Sequence, residues 1–593
     1  MKKYVEAAKK ADFKAIGERF GIDQVTARII RNRDITTEED IDEYLNASKA
    51  DFGDPTLMAD MFIAIDIIRG AIEEGKSIRI IGDYDIDGVC ASYILLDALR
   101  SVGADVSVAI PHRIHDGYGI NEDIVERAYS DGIGLIITCD NGIAAHPAIS
   151  LAKSYGMDVI VTDHHEVPYS LDEAGYKRYN LVDADAIINP KREDCAYPFK
   201  GHCGAVVALW LIRAFFDELI SEDQGLKDRL DYEKYLEIAA IATVGDVMEL
   251  LGENRTIVKE GLKQLNHTKN IGLRALIAKK ELLGHEIKSH HIGFIIGPCL
   301  NASGRLDTAK RALELLTTSD EGRADEIAEE LVSLNEVRKD MTVRGTDEAV
   351  SMIEGGELKT DRVLVVYLKD VHESVAGIIA GRIRERYTKP VFVLTDGEDC
   401  VKGSGRSIPA YSMYDEMCKV SDLFIKFGGH PMAAGLSLKR ENVDEFRRRL
   451  NEECALVEED FTEKIVIDAR MPFSYVSLKL AKEFSVLEPF GNKNPKPVFA
   501  LKDIRIKSIR LLGSRNNALS LGLEDAGGFA VSAVWFGDVD DFEVRLDKKL
   551  GEGSFKKLLK GGVVEKRVSV MYFPNINEYM NRESVQIRIS DII

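Results

Sequence analysis

The chain has 593 residues, 45% hydrophobic and 30% charged, with a formal net charge of −21. Such a length exceeds what one hydrophobic core fills, so three or four globular domains are expected, and a disordered or fibrous chain is excluded. No apolar run reaches about 18 residues, and MKKYVEAAKKADF has no apolar stretch after its lysines; neither a membrane span nor a signal peptide is expected, and a cytoplasmic location follows.

Residues 1–55 read as short charged helices ending in a loop at DFGDP. From Ile78 apolar strands alternate with helices: IRII (78–81), VSVAI (106–110), LIIT (135–138) and VIVT (159–162), with GVCASYILLDALRSVG and AAHPAISLAKSYG as helices between them. Short β-rich runs separated by helices predict a parallel doubly wound sheet. Further helical segments follow, VVALWLIRAFFDEL and YLEIAAIATV among them. Residues 320–353 are polar and strongly helical, the pattern of a helix bridging two domains. A second, smaller α/β unit runs through VLVVYL, SVAGIIAGRIRERY, VFVLT and a glycine-rich KGSGRS loop to about Cys454. From Val498 five strand-like runs, with a charged insertion before the fourth, predict a small OB-type β-barrel that binds single strands. An SH3-like barrel or a structural cap is the competing reading. The expected domains are thus 1–55, 56–319, the connecting helix 320–353, 354–456, and a linker with the barrel at 457–593.

The eight cysteines form no CxxC pair, which argues against a zinc ribbon, a redox dithiol or a disulfide framework. The net charge runs against nucleic-acid binding, where phosphates call for Lys and Arg. The acid is uneven, however: residues 501–593 hold 15 basic against 13 acidic residues, leaving −23 for residues 1–500. Cations held by clustered carboxylates would also cancel charge locally.

The sharpest chemical feature is GDYDIDG (82–88), three carboxylates at alternate positions directly after a strand. Asp83, Asp85 and Asp87 thus fall at the carboxyl end of a strand, where open α/β sheets bind ligands. A solvated acidic turn or a calcium loop would read similarly, but the terminal Glu of a calcium loop is missing. Asp140 follows the strand of LIITCDNG, Asp163, His164 and His165 follow VIVT, and Asp246 ends the apolar helix IATVG. An isolated Asp in such a place is usually a helix cap. Together they gather mutually repelling carboxylates at one sheet edge, which is costly unless cations sit there. Carboxylates with imidazole favour two Mn²⁺ or Mg²⁺ ions over structural zinc, a set suited to hydrolysing phosphodiesters.

This motif order resembles the DHH phosphoesterase superfamily, and within it the exonucleases specific for single-stranded DNA. The likeness runs through DPTLMADM, GDYDIDG, IPHRIHDGYGIN, TCDNGI, TDHHE, HCGAVVAL, IATVGDVMELLGENR, GPCLNASGR, KGSGRSI, FGGHPMAAG, LEPFGNKNPKPVF and INEYMNRESVQIRISDI. It implies metal ligands at Asp83, Asp85, Asp87, Asp140, His164 and Asp246, with Asp140 bridging the ions. Asp163 would orient His164, and His165 would touch the scissile phosphate or assist the water. Arg305 would grip a phosphate, with Arg113 as a weaker partner; Ser404 and Arg406 would hold a terminal phosphate, and His430 would add a polar contact. The glycines of FGGHPMAAG would let backbone approach a ligand closely, with a tight turn as the competing reading. The family's activity is metal-dependent 5′→3′ digestion of single-stranded DNA in repair and recombination. A monomer with a single-strand-binding protein or a helicase as partner fits that role. A hydrolase of short oligonucleotides or cyclic dinucleotides, and an inactive replication scaffold, are the alternatives. Three positions depart from the usual pattern: VHESVAGIIAGR lacks the common tryptophan-histidine form, Val206 replaces a glycine, and Gly245 replaces an alanine.

Overall fold

The computed structural model describes all residues except 1, 114–115, 173–174, 514–516 and 580–581. The segments IPHRIHDGYGIN and INEYMNRESVQIRISDI therefore fall partly outside the described residues. The chain forms two compact units, one spanning Ser48–Glu463 and the other combining Lys2–Ala47 with Lys464–Ile593.

The first unit opens on a five-stranded parallel sheet. Its strands are β1 (Ile78–Ile81), β2 (Val106–Ala109), β3 (Leu135–Cys139), β4 (Asp158–Thr162) and β5 (Ala186–Ile188), in the order β2-β1-β3-β4-β5. The chain reverses its direction of winding beside β1, so a crevice opens at the carboxyl ends of β1 and β3. Helix α1 (Ile86–Ser101) follows β1 directly and is buried on nearly every face, because the sheet and other helices enclose it. Helix α2 (Gly204–Glu222) starts with thirteen residues in which only Arg213 is not fully buried, including Trp210, Phe215 and Phe216. Burying each such aromatic side chain stabilises the fold by roughly 1.5–3 kcal/mol. Helix α3 (Leu236–Gly245) is apolar except for Glu237 and Thr243, and α4 (Gly297–Leu306) carries the GPCLNASGR segment.

Helix α5 spans Glu321–Gly355, with Asp320 capping its first turn through a hydrogen bond from the Arg323 amide. Its few apolar residues are divided between two cores. Ile327, Ala328 and Leu331 join the core of the parallel sheet, whereas Ala349 and Ile353 join the core of a second sheet. That second sheet has the order β9-β10-β8-β7-β6, from β6 (Leu364–Tyr367), helix α6 (Glu373–Tyr387), β7 (Val391–Asp396), β8 (Val401–Arg406), β9 (Phe424–His430) and β10 (Ala433–Leu438). Only β6 and β7 run parallel.

Here the structure corrects the sequence reading of KGSGRS as a loop, and of a tight turn at the FGGH glycines. Both are strands. Ser404 pairs with Val393 and Gly435, and Arg406 with Val391 and Ala433, so β8 lies inside the sheet with its backbone pairing to strands on both sides. The glycines serve close packing instead: a Cβ on Gly403 would meet Leu394 at 2.5 Å, and one on Gly405 would meet Phe392 at 2.8 Å.

In the second unit, the strand Lys2–Glu6 pairs with Glu463–Ile467, and three short helices cover residues 13–46. The N-terminal segment, read from sequence as standing alone, is therefore built into this unit. Arg33 donates to Asp468 at 2.7 Å with both side chains buried, and the Tyr44 hydroxyl donates to the Leu487 carbonyl at 3.1 Å. Buried Asn494 ties the LEPFGNKNP segment together by donating to the carbonyls of Leu487 and Pro489. A six-stranded sheet follows, from β11 (Ala469–Arg470), β12 (Phe499–Leu512), β13 (Ala518–Glu524), β14 (Ala530–Phe536), β15 (Val568–Tyr579) and β16 (Arg582–Ile592). Its order is β11-β12-β13-β14-β16-β15, and β15 pairs a second time with β12. The charged insertion before the fourth predicted strand folds as two helices, α7 (Val539–Leu550) and α8 (Ser554–Leu559), which bury Phe542, Leu546, Phe555 and Leu558. Among the described residues no helix is long and apolar enough to cross a membrane.

Candidate metal centre and phosphate site

The carboxyl ends of β1, β3 and β4 deliver the acidic and imidazole side chains to one place. Asp85 is the N-cap of α1, and its Oδ1 accepts from the amides of Asp87 and Gly88 at 3.0 and 3.1 Å. The DxDxDG pattern is thus a capping turn: one carboxylate satisfies the helix and its neighbours are thrown to either side. Asp87 is gripped by the next helix, its Oδ2 accepting from Gly204 N at 2.6 Å and its Oδ1 from Ala205 N at 2.8 Å. The amino end of α2 is a natural place for that negative charge. Gly204 is required there, since a Cβ would lie 2.6 Å from Asp140 Cβ.

Asp140 sits one residue past β3 at φ 62°, a left-handed conformation that costs a non-glycine residue energy. Its amide still donates to the Thr162 carbonyl at 3.0 Å, which holds the turn. His164 Nε2 lies 3.1 Å from Asp140 Oδ1, 3.6 Å from Asp87 Oδ2 and 3.8 Å from Asp246 Oδ2. Asp246 is the C-cap of α3, and its amide donates to Ala242 O.

Asp163 plays a different part from the one expected. Its Oδ1 accepts from the amides of His164 and His165 at 2.7 and 3.1 Å and meets His165 Nδ1 at 2.7 Å, while Oδ2 accepts from Ile143 N. Asp163 therefore orients the ring of His165 and touches only the backbone of His164. The reason is local: neighbouring side chains leave the chain on opposite sides, so the carboxylate folds back toward the residue two positions on.

Electrostatics follow the crowding. Burial, then the charge of Asp85, pushes the Asp83 carboxyl up to about 8; burial and Asp87 do the same for Asp246, also to about 8. Asp85 and Asp140 are driven up by burial and then by Asp87. Burial holds His164 below the usual imidazole range. Burial also disfavours the charged form of His165, but the hydrogen bond and charge of Asp163 outweigh it and raise the ring to about 9. Asp163 itself stays low despite burial, because His165 bonds to it.

A cation would relieve this arrangement, and the donors suit one. Three groups bring their ligand atoms within 4.8 Å of one another: Asp83, Asp85 and Asp140; Asp87, His164 and Asp246; and Asp140, His164 and His165. Asp140 and His164 each belong to two groups. The first two groups, five carboxylates with the single imidazole of His164, fit hard divalent ions such as Mn²⁺ or Mg²⁺.

A cluster of guanidiniums adjoins the carboxylates. Burial, then Arg113, lowers Arg305 to about 10, and burial followed by Arg384 and Arg113 lowers Arg406. Arg305 Nη1 donates to the Ser374 carbonyl at 2.9 Å, which ties α4 to the start of α6, and Arg113 lies over the Tyr84 ring at 4.6 Å. Among the described residues, no carboxylate forms an ion pair with Arg113, Arg305 or Arg406. Three cations that repel one another without an acidic partner are poised for an anion. Ser404 is half-buried on β8, two residues from Arg406, and His430 is exposed at the end of β9.

Two contributors escaped the sequence reading. Tyr118 donates its hydroxyl to the Asp140 carbonyl at 2.8 Å and stands 3.2 Å from His165 Nε2. Asn141 donates to the carbonyls of Ile81 and Cys139, pinning β1 to β3 behind the site. A Tyr in DGYG and an Asn after Asp140 were both visible, but neither residue type signals a role without its partner.

Fold and site together define a DHH phosphoesterase. The DHH family N-terminal domain matches residues 77–243, the DHHA1 domain residues 360–456 and the RecJ OB domain residues 467–591. The chain is 34% identical over 586 residues to the single-stranded-DNA-specific exonuclease RecJ of Bacillus subtilis, covering 98% of this chain and 69% of that protein. It is 33% identical over 549 residues to the Escherichia coli protein of the same name, covering 89% of each. The crystal structure of Thermus thermophilus RecJ with Mn²⁺ superposes at a TM-score of 0.78 and 25% identity, over 100% of this chain and 79% of that one. The chain belongs to the RecJ family.

Proposed function

We propose that this protein is a metal-dependent exonuclease that hydrolyses the phosphodiester bonds of single-stranded DNA from the 5′ end, in repair and recombination. The observation that carries the reading is the meeting of a carboxylate–histidine centre with an unpaired arginine cluster. One part handles cations and the other a phosphate.

Asp83, Asp85 and Asp140 would hold one divalent ion, and Asp87, His164 and Asp246 a second, with Asp140 shared. Two such ions supply an activated water and offset the charge that builds on the phosphoryl oxygens during in-line displacement. Asp163 keeps the His165 ring protonated near neutral pH, so His165 offers an N–H to a phosphate oxygen. Arg113, Arg305 and Arg406 draw in the terminal 5′ phosphate, with the Ser404 hydroxyl and His430 at its margin.

We assign residues 56–319 as the DHH domain, 320–353 as the connecting helix, 354–456 as the DHH-associated domain and 457–593 as linker and OB-type binding domain, with 1–55 ahead of them. The protein would act in the cytoplasm, as a monomer, on strands exposed by a helicase or carried by a single-strand-binding protein.

The test is digestion of end-labelled DNA with Mn²⁺. A 5′-phosphorylated single strand should be degraded from that end and a blunt duplex spared, with Asp140→Ala inactive but folded. Activity confined to dinucleotides or pyrophosphate, or no activity with any divalent ion, overturns the reading.

A further inference from the structure

Among the described residues, the most exposed of the large apolar side chains is Phe294, at 78%. Single apolar residues on a surface are ordinary and need no explanation. This one has an unusual setting. It sits in the middle of one π-helical turn, Ile292–Ile296, inserted directly before α4. Such turns weaken a helix locally and occur often at functional sites.

The turn packs against neighbours of the candidate metal ligands. Ile292 and Ile296 are fully buried. A Cβ on Gly293 would stand 3.6 Å from Val244, and one on Gly297 would stand 3.2 Å from Ile86. Val244 lies two residues before Asp246, and Ile86 lies between Asp85 and Asp87. Directly after Asp246 comes Val247, 66% exposed at φ 59°. A β-branched residue in that conformation is an outlier of the kind that clusters at binding sites. Two apolar side chains are thus presented to solvent beside the carboxylates, on backbone that is locally unfavourable.

The same helical run leads to the arginine cluster. Phe294 precedes Arg305 by eleven residues, about 16 Å at 1.5 Å per residue. That distance corresponds to roughly three to five nucleotides at the 3.4 Å spacing of a stacked strand. Resting on the single-strand reading above, we propose that Phe294 is a specificity-determining residue, the platform on which a base of the strand beyond the scissile phosphate stacks. Every base has a π face, so such a platform grips single strands without regard to sequence, and a paired, stacked base cannot reach it.

The experiment measures KM and kcat on 5′-phosphorylated DNA of about 20 nucleotides and on a trinucleotide. Stacking of one base supplies roughly 1–3 kcal/mol, so Phe294→Ala should raise KM on the long strand between about 5- and 150-fold. It should leave kcat, thermal stability and the trinucleotide unchanged, and Phe294→Trp should restore wild-type KM where Phe294→Leu does not. Equal KM for wild type and Phe294→Ala on the long strand overturns the assignment, as does full rescue by leucine, which would make Phe294 an apolar contact only. If the wild type fails to degrade the long strand, the proposed function falls and this inference with it.

Discussion

Ile86 fills the space that a side chain at position 245 would need: a Cβ on Gly245 would lie 2.6 Å from Ile86 Cγ2 and 3.0 Å from its Cδ1. Gly245 is the last residue of α3, beside Asp246, and Ile86 separates Asp85 from Asp87. The alanine usual in the family at this position would not fit beside an isoleucine. Gly245→Ala should therefore destabilise the protein by about 1–3 kcal/mol through overpacking, although alanine is the better helix former. Ile86→Ala alone should cost about 2–5 kcal/mol by leaving a cavity. Combined, the two should cost less than their sum. A double-mutant cycle by denaturant unfolding checks this, and simple additivity would show that the two sites do not share this space.

Metal binding should be proton-linked. Asp83 and Asp246 both titrate near 8 in the metal-free protein, so near neutral pH a divalent ion must displace protons to bind. Asp85 and Asp140 are raised as well, so apparent affinity should rise by at least tenfold per pH unit up to about pH 8. Calorimetry in two buffers of different ionisation enthalpy reads the released protons directly. The sign for stability is opposite: carboxyls raised in the folded state stabilise at low pH, and that contribution is lost as pH climbs through about 8. Metal-free protein should therefore melt lower at pH 8.5 than at pH 6, and Mn²⁺ should reverse the order.

Tyr118→Phe removes the hydroxyl between the Asp140 carbonyl and the His165 ring. A hydrogen bond of this kind contributes about 1 kcal/mol, so kcat should fall roughly fivefold. Because the same hydroxyl faces the ring, the alkaline limb of the pH–rate profile should move as well. An unchanged kcat and an unchanged limb would show that Tyr118 is a bystander.

Glu237 gives a stability effect away from the chemistry. Burial in α3 raises it to about 7, with a hydrogen bond from Thr268 pulling the other way, and among the described residues its Oε2 has no partner. The neutral form belongs to the fold, so stability should fall as pH rises from about 4.5 through 7, by on the order of 3 kcal/mol. Glu237→Gln should flatten that part of the pH–stability curve. Parallel curves for variant and wild type would exclude it as the source.

Much of the site could be read from the chain because its ligands follow strands. Asp83, Asp85, Asp87, Asp140 and His164 each come just after an apolar run, and a parallel sheet sends the ends of its strands to one edge. What could not be read was supplied by backbone or by distant loops. The amides of Gly204 and Ala205 that hold Asp87 carry no side-chain signature, and Tyr118 gains its role only through Asp140 and His165. The resemblance implies that Asp163 orients His164, whereas the side chain turns back to the His165 ring. KGSGRS reads as a loop because glycine is most often a turn residue; in β8 its glycines are demanded by Leu394 and Phe392 packed against the strand. The charged stretch at 537–562 concealed two helices whose apolar faces are only two or three residues each.

Helix α5 has its first half embedded in one core and its second half in another. It is therefore a shaft with both ends keyed. Adding one residue near its middle would turn everything beyond by about 100° and lengthen it by only 1.5 Å, whereas adding four would nearly restore the angle and push the far end about 6 Å away. The spacing between the carboxylates and Arg406 is thus set in quanta of helical phase, and the length of this segment is under tighter constraint than its polar sequence suggests.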